Sequence, residues 1–137
     1  MITVTGTQIL MHLIGDYIFQ FDYQALGKKK PGSKHAIQCL THCLTYTIPF
    51  LFLTRDIWAL ILIMTTHYLI DRTHIVSRFI CWKNNLILDG MTPYSFEGSK
   101  SNMGHHPSRP PFISVWLGII TDNILHITIN AIILSFA

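Results

Sequence analysis

Four long apolar stretches constrain the fold of this sequence more than any other feature. They cover roughly residues 5–23, 35–53, 57–79 and 112–136. Each is close to the approximately 20 residues that an α-helix needs to cross about 30 Å of hydrocarbon. Only 12% of the 137 residues are charged, which leaves few charges to coat a water-exposed surface. The pattern predicts an all-α, polytopic membrane protein, with four transmembrane helices forming one domain over residues 1–137.

The basic residues are distributed unevenly among the connections. Nine lie in the first connection or around the third, a long loop over residues 80–111, whereas the second connection holds only Arg55. The nine are Lys28, Lys29, Lys30, Lys34, Arg72, Arg78, Lys83, Lys100 and Arg109. Because basic loops stay in the cytoplasm, we expect a bacterial inner-membrane protein with both termini on the non-cytoplasmic side. Topology thus explains the net charge of +3, and no nucleic-acid partner is expected.

Ionisable residues interrupt the apolar stretches at helical spacing. Three pairs are spaced four residues apart, which places both members on one helix face: His12 and Asp16, His67 and Asp71, and Asp122 and His126. His42 adds an imidazole from the second stretch, and His74 follows His67 by seven residues. Insertion scales assign a charge at the centre of a membrane helix a cost of about 2.5 to 3.5 kcal/mol. These residues therefore predict a polar, functional bundle interior.

Imidazole and carboxylate groups together are ligands for zinc, manganese and iron. A divalent cation would also offset the carboxylate charges in a medium of low dielectric constant. Ligands one turn apart on facing helices are typical of di-metal four-helix bundles. Counted from the helix ends, the ionisable residues reach similar depths, so we expect them to converge. The predicted metal ligands are His12, Asp16, His42, His67, Asp71, Asp122 and His126, with zinc as the first choice and manganese or iron as alternatives.

Four motifs carry a resemblance to a known family. They are HLIGDYIFQFD, THCLTY, HYLIDRTH and DNILHI, in this order along the chain. With this spacing the chain resembles a bacterial and phage family of small integral membrane proteins that is catalogued as a domain of unknown function. The resemblance supports the proposed site but implies no reaction. A looser similarity, in the pattern of His and Asp only, is to inner-membrane proteins described as metal-dependent hydrolases.

The residues favour an intramembrane metal-dependent hydrolase, with one or two metal ions, over two other classes of function. The substrate would be a phosphoester, lipid-linked or nucleotide compound at the cytoplasmic face of the bilayer. His42 and His74 are the candidate catalytic residues. The candidate substrate-binding residues are Lys28, Lys29, Lys30, Lys34 and Arg72.

The alternatives are a metal or proton translocator and a membrane interaction protein with a structural metal. Polar residues become sparse beyond His12 and His126, which favours a closed site over a pore. The sequence leaves self-association into a homo-oligomer open.

Overall fold

The computed structural model describes residues 2–87 and 92–137, and within these ranges it contains seven α-helices and no strand. The prediction of an all-α protein is confirmed for this part of the chain. The helices are α1 Gly6–Leu13, α2 Asp22–Gly27, α3 Ser33–Thr47, α4 Ile57–Arg72, α5 Ile75–Leu86, α6 Phe96–Ser99 and α7 Pro111–Leu134. A π-helical turn, Ile14–Ile18, continues α1, and 3-10 turns, Ile48–Phe52 and Lys100–Asn102, continue α3 and α6.

The chain divides into two compact units. The first unit contains residues 1–73 and 126–137, and the second contains residues 74–125. Helix α7 contributes residues to both units, since the division falls between Leu125 and His126.

Helices α3 and α4 of the first unit pack through one apolar cluster. Helix α3 and its 3-10 extension contribute Tyr46 and Phe50 to this cluster, and α4 contributes Leu60 and Ile63. Helix α4 begins after Asp56, whose side chain accepts a 2.8 Å hydrogen bond from the main-chain N–H of Trp58. This cap provides an acceptor for one of the main-chain N–H groups that have no partner within the first turn of α4. The packed pair of helices also holds the ionisable residues of α3 and α4 in place.

Helices α3 and α4 combine buried imidazoles with exposed apolar side chains. His42 and His67 are 0% and 1% exposed, whereas Leu44 and Leu62 are each 51% exposed. A helix on the surface of a soluble protein normally buries its apolar stripe and exposes its polar face. Here ionisable groups lie inside beside the apolar cluster, and large apolar side chains also lie outside.

One helix in the described part of the chain, α7, is long and apolar enough by length and composition to cross a membrane. Helices α3 and α4 have 15 and 16 residues, or about 24 Å at 1.5 Å per residue, less than a hydrocarbon core of about 30 Å. The predicted bundle of four complete spans is therefore not shown.

The predicted element boundaries also differ from the observed ones. The predicted segment 57–79 is interrupted because Thr73 adopts an extended conformation (φ −107°, ψ 176°) and ends α4. In addition, the end of α5 and all of α6 lie within the predicted loop 80–111.

Asparagine side chains organise the connection in the second unit. The Asn85 side chain accepts a 3.1 Å hydrogen bond from the main-chain N–H of Tyr94 and donates a 3.0 Å hydrogen bond to the main-chain carbonyl of Tyr94. Asn102 donates to two further main-chain carbonyls. Gly104 adopts a positive φ of 83° so close to the Ser77 carbonyl that a Cβ would clash. Such contacts give residues 92–110 a defined structure.

His105 is buried within this connection, at 4% exposure. The amide of Asn84 lies 3.2 Å from its Nδ1. Burial lowers the pKa of His105 below its ordinary value of 6.5, and the positive charges of Arg109 and Lys83 add to this effect. The imidazole is therefore neutral at pH 7.

Candidate metal centre

Two imidazoles and two carboxylates meet in the interior of the first unit. Asp16 is supplied by the π-helical turn, His42 by α3, and His67 and Asp71 by successive turns of α4. His42, His67 and Asp71 are at most 1% exposed, and Asp16 is 8% exposed. The predicted helix-face pairing of His67 and Asp71 thus directs both side chains to the same point.

Short distances separate the potential ligand atoms of these four residues. His42 Nε2 lies 3.0 Å from His67 Nε2, 3.2 Å from Asp16 Oδ1 and 3.3 Å from Asp71 Oδ2. His67 Nε2 lies 3.3 Å from each of the same two carboxylate oxygens. The four atoms therefore surround one common position.

These distances fit the coordination shell of a metal ion. A tetrahedral zinc site with bonds of about 2.0–2.1 Å has ligand-to-ligand edges of about 3.3 Å. Similar distances fit neighbouring positions of an octahedron, the geometry typical of manganese sites. The buried His/Asp cluster could hold a metal ion, as the sequence predicted, and its geometry leaves the choice among zinc, manganese and iron open.

The ligand set contains no cysteine, although two lie on α3 on either side of His42. Cys39 and Cys43 are completely buried. Structural zinc sites are built largely from cysteine, whereas catalytic zinc sites use histidine and carboxylate. The four residues therefore lack the thiolates typical of structural zinc sites.

The π-helical turn brings Asp16 to the cluster. Gly15, which precedes Asp16 within this turn, lies very close to α3. A Cβ at this position would be 2.5 Å from Tyr46 Cδ2 and 3.0 Å from Tyr46 O. A residue without a side chain is required for this approach. π-helical turns frequently occur at functional sites, and this one contains a candidate ligand.

His12 lies beside the cluster, next to Asp16. Its Nε2 atom is 3.5 Å from Asp16 Oδ2, and its Nδ1 atom is 2.9 Å from the Tyr46 hydroxyl. That hydroxyl accepts a 2.7 Å hydrogen bond from Asn130 Nδ2. His12 thus lies next to the group of four, and its role as a metal ligand stays a prediction.

Both carboxylate oxygens of Asp71 are paired with a lysine. Lys28 Nζ donates to Oδ1 at 3.0 Å and to Oδ2 at 2.9 Å. Arg72 donates to the main-chain carbonyls of Lys28 and Lys30, at 3.2 and 2.8 Å, which anchors the connection that carries the lysine. Lys28 and Arg72 therefore have structural contacts, while their predicted binding of substrate stays a prediction.

The remaining predicted residues have varied positions. His126 Nε2 lies 3.7 Å from Asp71 Oδ1, and its ring centroid lies 4.2 Å from that of His67. Asp122 belongs to the second unit and is half-buried, and its role as a ligand stays a prediction. Lys29 is half-buried, and Lys30 and Lys34 are exposed; their roles in substrate binding also stay predictions.

His74 does not share the helix face of His67 and Asp71. Helix α4 ends at Arg72, and His74 precedes α5 in the second unit, with its ring centroid 6.2 Å from that of Phe96. Their seven-residue spacing therefore does not place His74 on the face of His67, because the helix between them is interrupted. A catalytic role for His74 stays a prediction without that support.

Sequence reasoning missed Tyr46 and Gly15. Tyr46 stacks on His67 with a centroid distance of 3.6 Å and an interplanar angle of 18°. It lies four residues after His42, and this spacing is the signal that could have placed it on the same face. Nothing in the local sequence marks Gly15 as a point of close helix contact.

Comparison with known proteins identifies the family. The sequence profile described as "Protein of unknown function (DUF3307)" matches residues 4–137. The chain belongs to the DUF3307 family. The resemblance seen in the sequence is confirmed to this extent, but the description of DUF3307 gives neither a membrane location nor an activity. Neither the curated proteins nor the solved structures include a match to this DUF3307 chain.

Proposed function

We propose that this protein is a membrane-embedded, metal-dependent hydrolase that acts on a phosphoester at the cytoplasmic face of the bacterial inner membrane. The observation that carries the proposal is the set of four buried ligand atoms on Asp16, His42, His67 and Asp71, separated by 3.0 to 3.3 Å in the five pairs measured. Zinc is the first choice of metal, with manganese and iron as alternatives.

The charge balance of the cluster supports a bound cation. Two buried carboxylates face one lysine, Lys28, so one negative charge stays uncompensated when both imidazoles are neutral. An uncompensated charge in an apolar interior is costly. A divalent cation between Asp16 and Asp71 would balance the charges of both carboxylates and would bind all four ligand atoms at once, which leaves the charge of Lys28 in excess.

The exposed apolar surface of α3 and α4 supports a location in the bilayer. Their buried faces include the ionisable residues, and Leu44 and Leu62 are half exposed. Water disfavours such a surface, whereas hydrocarbon accepts it. Helix α7 offers one candidate span, and the shorter helices would be accommodated by local thinning of the bilayer.

The composition of the ligand set favours catalysis over a structural metal. Manganese or iron, with six ligands, would keep two positions for water and substrate beside the four protein ligands, and zinc would bind them by expanding beyond four-coordination. Asp16, at 8% exposure, is the most accessible of the four ligands. When bound, the cation would activate a water molecule and stabilise the negative charge that develops on a phosphoester. The lysines of the first connection favour an anionic substrate.

Hydrolysis of bis(p-nitrophenyl) phosphate tests this proposal with the purified full chain in detergent. We expect turnover that is abolished by a chelator and restored by zinc or manganese. Asp16→Asn should lower turnover at least 100-fold, about 2.7 kcal/mol of barrier. Asp22→Asn, a change of the same chemistry at an exposed position, should retain it. Metal-independent turnover, or equal loss in both variants, would contradict the proposal.

A further inference from the structure

The groups beside its two ring nitrogens favour one tautomer of His12. Asn130 Nδ2 donates to the Tyr46 hydroxyl oxygen at 2.7 Å, which leaves the hydroxyl hydrogen available to His12 Nδ1, 2.9 Å away. The carboxylate oxygen of Asp16, 3.5 Å from His12 Nε2, can only accept. A neutral imidazole that accepts at one nitrogen carries its hydrogen on the other, so His12 presents an Nε2–H group.

The His12 Nε2–H group faces a ligand residue. Asp16 Oδ2 lies 3.5 Å from Nε2, while Asp16 Oδ1 faces His42 and His67. The two oxygens of Asp16 thus have separate environments, one beside His12 and one beside the candidate metal position. An imidazole with its hydrogen on Nε2 cannot also donate an electron pair to a metal from that atom.

Tyr46 also contacts the candidate site through its ring. The Tyr46 ring stacks on the His67 ring with a centroid distance of 3.6 Å. The Nδ1 atoms of His42 and His67 have no hydrogen-bond partner among residues 2–87 and 92–137. Metal-bound imidazoles are usually oriented by a hydrogen bond from their second nitrogen. For His67, stacking on Tyr46 takes the place of that bond.

We propose that His12, Tyr46 and Asn130 are positioning residues, a hydrogen-bonded chain that orients Asp16 and His67 for the cation. The inference rests on the metal site of the proposed function and goes beyond it. It replaces the predicted role of His12 as a ligand with that of a hydrogen-bond donor to a ligand. It also assigns a role to two residues, Tyr46 and Asn130, that contact no metal position themselves.

Co²⁺ titration of the full chain in detergent tests the role of the tyrosine hydroxyl. Tyr46→Phe keeps the aromatic ring and removes the O–H group. We expect Co²⁺ to bind about 10- to 100-fold more weakly, the usual effect of losing such a partner, and its visible absorption spectrum to change. Tyr94→Phe is the matched control, since the Tyr94 hydroxyl bonds to Gly104 in the second unit, and it should bind Co²⁺ like the wild type.

Two substitutions of His12 separate a positioning role from a ligand role. Glutamine can accept from Tyr46 and donate to Asp16 through one amide group, whereas alanine can do neither. His12→Gln should therefore recover most of the affinity and the Co²⁺ spectrum that His12→Ala loses. Equal loss in both variants would overturn the positioning role, as would wild-type affinity and spectrum in Tyr46→Phe. A wild-type chain that binds no Co²⁺ would overturn the proposed function itself.

Discussion

His42 and His67 point the same ring nitrogen at each other, with their Nε2 atoms 3.0 Å apart. If both atoms carried hydrogen, two donors would face each other at hydrogen-bond distance. If one did, it would donate a hydrogen bond to the other nitrogen, and if neither did, both lone pairs would lie beside the carboxylates of Asp16 and Asp71. A cation between the rings would accept both nitrogen lone pairs and both carboxylate oxygens at once.

Gly15→Ala tests whether close contact between the π-helical turn and α3 is required. A Cβ would be 2.5 Å from the Tyr46 ring, so the turn has to shift, at a cost of about 1 to 3 kcal/mol in the free energy of unfolding. Metal affinity should fall as Asp16 moves. Gly6→Ala is the control, since no atom lies within 4 Å of its added Cβ. Equal melting temperatures and affinities for the two variants would refute the requirement.

Lys28→Met is expected to strengthen cation binding. The ammonium group of Lys28 lies 2.9 to 3.0 Å from both oxygens of Asp71, so its charge repels a cation bound there. We expect roughly tenfold tighter Co²⁺ binding, about 1.4 kcal/mol. Lys34→Met, at an exposed position, should leave the affinity unchanged. Weaker binding in Lys28→Met would mean that the lysine mainly orients Asp71.

His105 should make the stability of the protein depend on pH. Burial lowers its pKa in the folded state below the ordinary 6.5. As the pH falls below 6.5, the unfolded chain takes up a proton that the folded chain resists, so the free energy of unfolding decreases. His105→Gln should reduce this decrease. Denaturation at several pH values measures it, and an unchanged pH dependence would contradict the effect.

The sequence predicted the helical fold and the four residues of the buried cluster. The spacing of His67 and Asp71 defines one face of α4, and the apolar residues between them define the other. Asp16 followed from its four-residue spacing to His12, and His42 followed from its depth in the second apolar stretch. Apolar pattern alone could not locate the interruption at Thr73, because Ile75 and the residues after it continue the hydrophobic stretch.

Contacts between distant residues account for what the sequence did not reveal. Tyr46 bonds to His12, 34 residues earlier, and to Asn130, 84 residues later, and no local spacing encodes these contacts. The tautomer of His12 follows only from that three-dimensional arrangement. The same arrangement distinguishes a metal ligand from a residue that donates a hydrogen bond to a ligand. The close approach at Gly15 likewise depends on where α3 lies.

Metal analysis combined with X-ray absorption spectroscopy tests the central claim most directly. The full chain, purified in detergent without chelator, should contain a divalent cation of the zinc, manganese or iron class. Its absorption spectrum should show nitrogen and oxygen ligands and no sulfur, with bonds near 2.0–2.1 Å for zinc. His67→Gln should lose the metal, whereas His35→Gln should retain it. A metal-free wild-type protein, or a shell containing sulfur from Cys39 or Cys43, would contradict the account.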